Sequence, residues 1–317
     1  MAGKLVTGVA GFVGSHLAEA LVERGEDVIG VDSFTDAYDG RLKEENVAGL
    51  LSSRRFRLVR EDLNSADLPS LLEGVDTVFH LAAQAGVRAS WGAEFGCYVE
   101  RNIVATQRLL EAVKERPIHR FVFASSSSVY GDAPELPVTE DAPVRPVSPY
   151  GVTKLAAENL CFLYRKSYSL PLVSLRYFTV YGPRQRPDMA LHRIVHAALA
   201  GSPLTLFGDG SQSRDFSYVS DVVRANLLAA ERDEAGPVYN IGGGARTSLR
   251  ECISMVEEIS GRPVPHERSA RAKGDVRDTW SDCSAAKRDL GYAPEVPLRE
   301  GLKKMVNFYR LRGEKRE

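Results

Sequence analysis

Residues 4–32, K-L-V-T-G-V-A-G-F-V-G-S-H-L-A-E-A-L-V-E-R-G-E-D-V-I-G-V-D, decide how the chain folds. Lys4 to Thr7 reads as a short strand, and Gly8, Gly11 and Gly14 follow at a turn running into a helix from Phe12 to Arg24. Glycines there let the backbone approach a pyrophosphate, which rests on the helix amino terminus. Glycine-rich turns are common, so context has to strengthen the spacing. Val28 to Val31 supplies it as a second strand ending in Asp32, within the window expected for the acid that binds an adenosine ribose. A carboxylate at that point repels a 2′-phosphate, which favours NAD over NADP.

Working outward, Phe34 to Ser53 is polar, a loop before a helical piece. Phe56 to Val59 is strand three, with Asp62 and Leu63 at its carboxyl edge. Thr77 to Leu81 is strand four, ending in H-L-A-A-Q-A-G-V-R, whose small residues let a flat cofactor lie against the backbone. Arg88, just past that turn, is either a solvated loop charge or an anion ligand. Tyr98 to Glu115 is a long amphipathic helix, and Asn102 near its start is placed to bond backbone beneath a site. Arg120 to Ala124, Tyr150 to Tyr168 and Leu172 to Arg176 continue as strand, helix and strand. Such alternation predicts an α/β fold around a parallel, doubly wound sheet.

The fifth strand ends in four serines, F-V-F-A-S-S-S-S-V-Y, at the carboxyl edge where open α/β sheets bind ligands. The helix after it opens Y-G-V-T-K, so Tyr150 and Lys154 share one face. A phenol titrates near ~10, and an ammonium beside it favours the phenolate, the form a general base needs. Tyrosine and lysine four apart are usually a solvated helix face. The serine strand and the dinucleotide turn together favour chemistry.

After Tyr177 the elements shorten. Y-F-T-V-Y-G-P-R-Q-R-P-D-M is a loop with two arginines, followed by a helix at Ala190 to Ala200 and a short strand at Leu204 to Phe207. G-D-G-S-Q-S-R-D-F reads as another turn, and Pro237 to Ile241 and Pro263 to Glu267 are strands around a helix at Ser248 to Ser260. This pattern predicts a smaller lobe, residues 177–317, closing over a nucleotide-binding domain of residues 1–176 joined by parts of 215–245.

Net charge is -1 with 26% charged residues, which gives no footprint for nucleic acid or an anionic membrane surface. No window approaches the ~18 apolar residues of a membrane span. Met1 to Lys4 runs straight into a strand, leaving no room for a signal peptide, so a cytoplasmic protein is expected. Cys97, Cys161, Cys252 and Cys283 form no C-x-x-C pair and read as reduced packing residues. His192 and His196 share a helix face, but no glutamate follows His192 as a metalloprotease motif requires, so no metal is expected.

Taken together, T-G-V-A-G-F-V-G, Asp32, H-L-A-A-Q, the serine strand with V-Y-G, Y-x-x-x-K, R-Y-F-T-V-Y-G-P-R and G-D-G-S-Q-S-R-D-F-S-Y-V-S-D-V resemble the extended short-chain dehydrogenase/reductase family over essentially the whole chain. Within it the sequence is most similar to UDP-glucuronate 4-epimerases, through A-G-V-R at Arg88, R-Y-F-T-V-Y-G-P-R-Q-R-P-D-M and G-D-V-R-D-T-W-S-D. The resemblance implies a Rossmann-type fold and a homodimer through the Tyr98 and Tyr150 helices. It implies an NAD site of Gly8, Gly11, Phe12, Val13, Gly14, Asp32, Asp62, Leu63, Leu81, Ala82, Ala83, Lys154 and Tyr177. Tyr150 is then the base, Lys154 its electrostatic partner and a ribose ligand, and Ser126 a hydrogen-bond donor to the reacting oxygen. Ser127 and Ser128 would line the sugar pocket, Arg214 and Asp275 would hold the nucleotide diphosphate and ribose, and Phe207 would border the uracil. Relatives usually carry asparagine at the position of Thr179, whereas the glucuronate epimerases carry threonine.

Family likeness does not fix the reaction. The resembling 4,6-dehydratases carry Asp-Glu where Ser127-Ser128 stand, and two serines supply neither the acid nor the base that elimination needs. A UDP-glucose 4-epimerase is nearer, yet Arg88, Arg184 and Arg186 place more positive charge at the sugar end than an uncharged hexose requires. A UDP-glucuronate decarboxylase shares substrate, cofactor and first oxidation. A non-catalytic nucleotide-sensing protein would be expected to have lost Tyr150 and Lys154. The sequence therefore points to NAD-dependent 4-epimerisation of a UDP-sugar, UDP-glucuronate to UDP-galacturonate, with Thr179 and Arg184 as carboxylate clamp and Arg186 and Arg88 as helpers.

Overall fold

The computed structural model describes residues 3–270 and 274–314. The apolar run before the glycine turn is β1 (Gly3–Thr7), followed by α1 (Phe12–Glu23), β2 (Val28–Val31), α2 (Gly40–Val47), β3 (Phe56–Val59), α3 (Leu68–Leu71) and β4 (Val75–His80). Next come α4 (Phe95–Tyr98), α5 (Ala105–Val113), β5 (Arg120–Ser126), α6 (Pro149–Tyr168) and β6 (Leu172–Tyr177). The second half contributes β7 (Thr179–Tyr181), α7 (Ala190–Ala200), β8 (Leu204–Phe207), β9 (Ser213–Tyr218), α8 (Val219–Glu231) and β10 (Val238–Ile241). The chain continues through β11 (Arg246–Ser248), α9 (Leu249–Ser260), β12 (His266–Ser269), α10 (Ser284–Leu290) and α11 (Leu298–Glu314).

Seven strands form one sheet in the order β10-β6-β5-β4-β1-β2-β3, every pair parallel. Every residue of β5 is buried, as a strand covered on both faces must be. Phe12, Leu17 and Leu21 of α1 share one cluster with Val219 and Val222 of α8, whereas Leu109 and Val113 of α5 pack with Ala157 and Cys161 of α6 in another. This is the doubly wound, Rossmann-type arrangement. Its order reverses between β1 and β4, which opens a crevice at their carboxyl ends.

The helix expected over Tyr98 to Glu115 instead starts at Phe95 and ends at Val113, with a π-helical stretch from Val99 to Val104. Asn102 sits in that stretch, buried, and its side chain accepts from Gln84 N (2.7 Å) and donates to Gln84 O (3.0 Å). A local widening at such a polar anchor is common near functional sites. The turn expected over Gly208 to Phe216 closes by Gln212, because Ser213–Tyr218 pairs in parallel with Thr179–Tyr181 and antiparallel with Arg246–Ser248. The strand expected at Pro263 to Glu267 runs from His266 to Ser269, parallel to β8. Among the described residues no helix is long and apolar enough to cross a membrane.

Candidate active site

A cavity of about 860 Å³ runs along the carboxyl edge of the sheet and into the second half of the chain. At one end Gly11 stands at the amino cap of α1 with no side chain to occupy the first-turn N–H groups, and Phe12, Val13 and Gly14 line the cavity. An added Cβ at Gly14 would lie 2.2 Å from Gly8 O, so only glycine lets helix and turn meet this closely. Asp32 is anchored at both oxygens, accepting from Ala10 N (3.0 Å) and Phe34 N (2.8 Å). Burial raises its carboxyl above the usual range, while the Phe34 N–H and the charge of Lys43 pull the other way. Asp62, Leu63, Leu81, Ala82 and Ala83 line the same end.

The Thr7 hydroxyl accepts from Leu81 N and Ala82 N, so its own proton goes to His80 Nδ1 at 2.8 Å. His80 Nε2 lies 2.9 Å from Thr106 Oγ1, and Thr106 donates onward to Asn102 O. Full burial lowers His80 to about 3, so it stays neutral and ties the glycine turn to the Asn102 stretch. These residues fit a dinucleotide: a helix terminus for its pyrophosphate, an oriented carboxylate for its ribose and a flat wall at Leu81 to Ala83. If Asp32 meets the 2′-hydroxyl, NAD binds more tightly than NADP by at least about tenfold, because like charges otherwise face each other. Calorimetry on cofactor-free protein checks this, and equal affinities would contradict it.

Tyr150 and Lys154 stand in the first two turns of α6, which is capped by Ser148 through Gly151 N (3.1 Å). An added Cβ at Gly151 would meet Ser128 O at 2.6 Å, so glycine lets the helix press the tyrosine against the serine turn. Tyr150, Lys154, Ser126, Ser127, Ser128 and Tyr177 all line the cavity. Burial raises the Tyr150 phenol, and hydrogen bonding with Ser126 and the charge of Arg186 oppose that rise. The ammonium of Lys154, 4.5 Å above the Phe123 ring, is lowered by burial to about 8.

The sequence expects a loop from Tyr177, but Thr179 opens β7; it and Arg186, from the loop after β7, line the cavity, and Asp188 grips Arg186 at Nε and Nη2, both 2.9 Å. Arg184 does not share that position. It turns back at φ +65° to pair with Glu19 on α1 at 2.7 and 2.9 Å, so its guanidinium is spent outside the residues lining the cavity. The expected carboxylate clamp at Arg184 is therefore corrected: Arg184 joins the loop to α1. Arg184→Ala should cost about 1 kcal/mol of stability or less and change KM for a sugar nucleotide by less than about twofold. Thermal melts and steady-state kinetics check both.

Arg88 lines the same cavity, its guanidinium 4.0 Å over the Phe207 ring and its Nη2 2.6 Å from Asp275. Arg214 lines the cavity too, donating to Ser213 O, Val276 O and Arg277 O, which ties β9 to the backbone at 276–277. Sequence reading passed over Tyr38, Lys43, Asp188 and Arg193, which line the cavity as well. Asp188 had a signal in R-Q-R-P-D-M; Lys43, inside a short polar helix, had none. All four cysteines are free, and among the described residues no group of three or more His, Cys, Asp or Glu could hold a metal ion.

Comparison with known proteins places the chain among relatives of known family. Residues 4–242 match the model of the NAD-dependent epimerase/dehydratase family. The chain is 49% identical over 306 residues to an uncharacterised UDP-glucose epimerase of Bacillus subtilis, YtcB, covering 96% of each chain. It is 41% identical to a UDP-glucuronate 4-epimerase of Thermodesulfobacterium geofontis, covering 96% of this chain and 95% of that one. The crystal structure of UDP-glucuronic acid 4-epimerase from Bacillus cereus with UDP-glucuronic acid and NAD superposes with a TM-score of 0.95 at 46% identity, covering 98% of this chain and 99% of that one. On its motifs, its sheet order and these likenesses, the chain belongs to the NAD-dependent epimerase/dehydratase family.

Proposed function

We propose that the protein is a UDP-sugar 4-epimerase interconverting UDP-glucuronate and UDP-galacturonate. The observation that carries the choice of sugar is Arg186, a cation whose charge acts on Tyr150 in a cavity that Ser127, Ser128 and Thr179 also line. When bound, NAD supplies a reversible hydride acceptor at C4. Tyr150 takes the 4-hydroxyl proton and later returns it, while Ser126 donates a hydrogen bond to the reacting oxygen. Lys154, one helical turn along α6 from Tyr150, supplies positive charge and meets the nicotinamide ribose. Arg186 and Thr179 hold the sugar carboxylate, the Nε edge of Arg186 being fixed by Asp188. Phe207, Arg88, Arg214 and Asp275 form the uridine diphosphate end, with residues 1–176 carrying most of the cofactor contacts and the lobe from 177 most of the UDP-sugar contacts.

Exposed apolar side chains on the outer helices, Phe162, Leu163 and Tyr168 of α6 with Phe95 of α4, support a homodimer through these helices. Four free thiols fit a reducing, cytoplasmic setting.

A second reading, UDP-glucose 4-epimerase, is favoured by the likeness to YtcB. Comparing kcat/KM for the two substrates separates them. At least about a tenfold preference for UDP-glucuronate is expected, and a preference for UDP-glucose would overturn the assignment.

A further inference from the structure

The carboxylate of Glu158 lies where three elements meet, and no chemical step above uses it. Glu158 follows Tyr150 by eight residues and Lys154 by four, so the three share one face of α6. It is 7% exposed, and it accepts from Ser125 Oγ at 2.5 Å and from Arg176 at Nη2 (2.6 Å) and Nε (3.1 and 3.2 Å). Parallel pairing sets Arg176 of β6 directly beside Ser125 of β5, which puts both side chains on the sheet face that α6 covers. Arg176 then reaches further, donating through Nη1 to the Tyr130 hydroxyl (2.7 Å) and to Glu140 O (3.0 Å). Tyr130 passes its own proton to Asn240 Oδ1 at 2.7 Å, so its hydroxyl is held from both sides.

Ser125, next to last in β5, and Tyr130, the C-terminal cap of the turn after it, flank Ser126, Ser127 and Ser128. One buried ion pair therefore anchors that turn at both ends and ties it to the helix carrying Tyr150. Buried pairs of this kind contribute little net stability, because the loss of hydration offsets their attraction. Precise placement is another matter, since a misplacement of about 1 Å in a reacting group can cost roughly 10²-fold in rate.

We propose that Glu158 and Arg176 are positioning residues of the reaction, fixing the Ser126 to Ser128 turn against Tyr150 by anchoring Ser125 at one end and Tyr130 at the other. The inference rests on the reading above, in which Ser126 meets the reacting oxygen.

The test uses two variants of the full chain with NAD. Ser125→Ala removes one anchor without stranding a charge, and Glu158→Gln removes the carboxylate while keeping its shape. Hydrogen exchange of residues 125–130, followed by mass spectrometry without substrate, should quicken by about tenfold or more in Glu158→Gln and less in Ser125→Ala. Turnover of UDP-glucuronate should fall about tenfold in Glu158→Gln and about threefold in Ser125→Ala, with KM within about twofold of wild type. Leu290→Ala, a fully buried residue of α10, serves as a destabilised control. The proposal is overturned by exchange that stays at the wild-type rate, by faster exchange with unchanged kcat, or by a kcat loss no larger than in the control at equal loss of Tm. A wild-type protein inert towards UDP-glucuronate would sink the substrate reading instead, and the exchange comparison, which needs no substrate, would still decide this one.

Discussion

Tyr150→Phe should lower kcat for 4-epimerisation by roughly 10²-fold or more while leaving NAD and UDP-sugar binding within a few-fold of wild type. The substitution removes one oxygen from a residue held against the Ser128 backbone by the glycine beside it, so the cavity keeps its shape. On the proposed reading, what is lost is the group that takes the 4-hydroxyl proton, a phenol hydrogen-bonded with Ser126. Lys154 adds a pH signature. Its ammonium is lowered by burial from an ordinary value near 10.5 to about 8, so turnover that depends on its charge should decline as pH rises through about 8. Between about 8 and 10.5 the unfolded chain binds this proton and the folded chain does not, so the contribution of Lys154 to stability grows with pH across that window. Alkaline loss of activity should therefore come without any loss of Tm from this group. Near-normal turnover in Tyr150→Phe would remove the tyrosine from the mechanism.

Arg186→Leu should raise KM for UDP-glucuronate by about tenfold to a hundredfold, the ~1.5–3 kcal/mol of a charge-assisted hydrogen bond, and leave KM for UDP-glucose nearly unchanged. A second product should also appear. Oxidation of glucuronate at C4 makes a β-keto acid, which loses carbon dioxide when the bond from C5 to the carboxylate stands parallel to the carbonyl π system. An epimerase must hold that bond near the carbonyl plane for the lifetime of the ketone. A planar guanidinium, itself fixed by Asp188, helped by the Thr179 hydroxyl in the same cavity can do so. Without Arg186, the bond from C5 to the carboxylate can swing parallel to the π system; carbon dioxide then leaves, the enolate takes a proton at C5, and return of the hydride to C4 leaves a UDP-pentose. If the variant keeps the wild-type preference between the two sugars and releases no extra carbon dioxide, Arg186 is not the clamp.

The choice between Arg184 and Arg186 marks where sequence stopped being legible. Both lie in one loop two residues apart, and only the reversal at φ +65° sends the first towards Glu19 on α1 and leaves the second in the cavity. That reversal depends on packing against a helix more than 160 residues earlier, which no local pattern encodes. The glycine turn and the Tyr150–Lys154 face were legible because each is specified within a dozen residues, and Asp32 because it ends the strand that follows the first helix. The sheet followed from strand–helix alternation for the same reason. β9 was misread because its pairing lies with residues 179–181 and 246–248, both outside the window that suggested a turn. Helix α11 did carry a pattern, Leu302, Met305 and Val306 buried at helical spacing, and went unread behind the many charges around them.

The central claim is that this cavity oxidises C4 of UDP-glucuronate and returns the same hydrogen to the opposite face. Incubating the purified protein with UDP-glucuronate in deuterated water, and following the sugar resonances by NMR, tests it directly. The account predicts UDP-galacturonate carrying protium at C4 and no UDP-pentose; unchanged substrate, deuterium at C4 or a UDP-pentose as main product would contradict it.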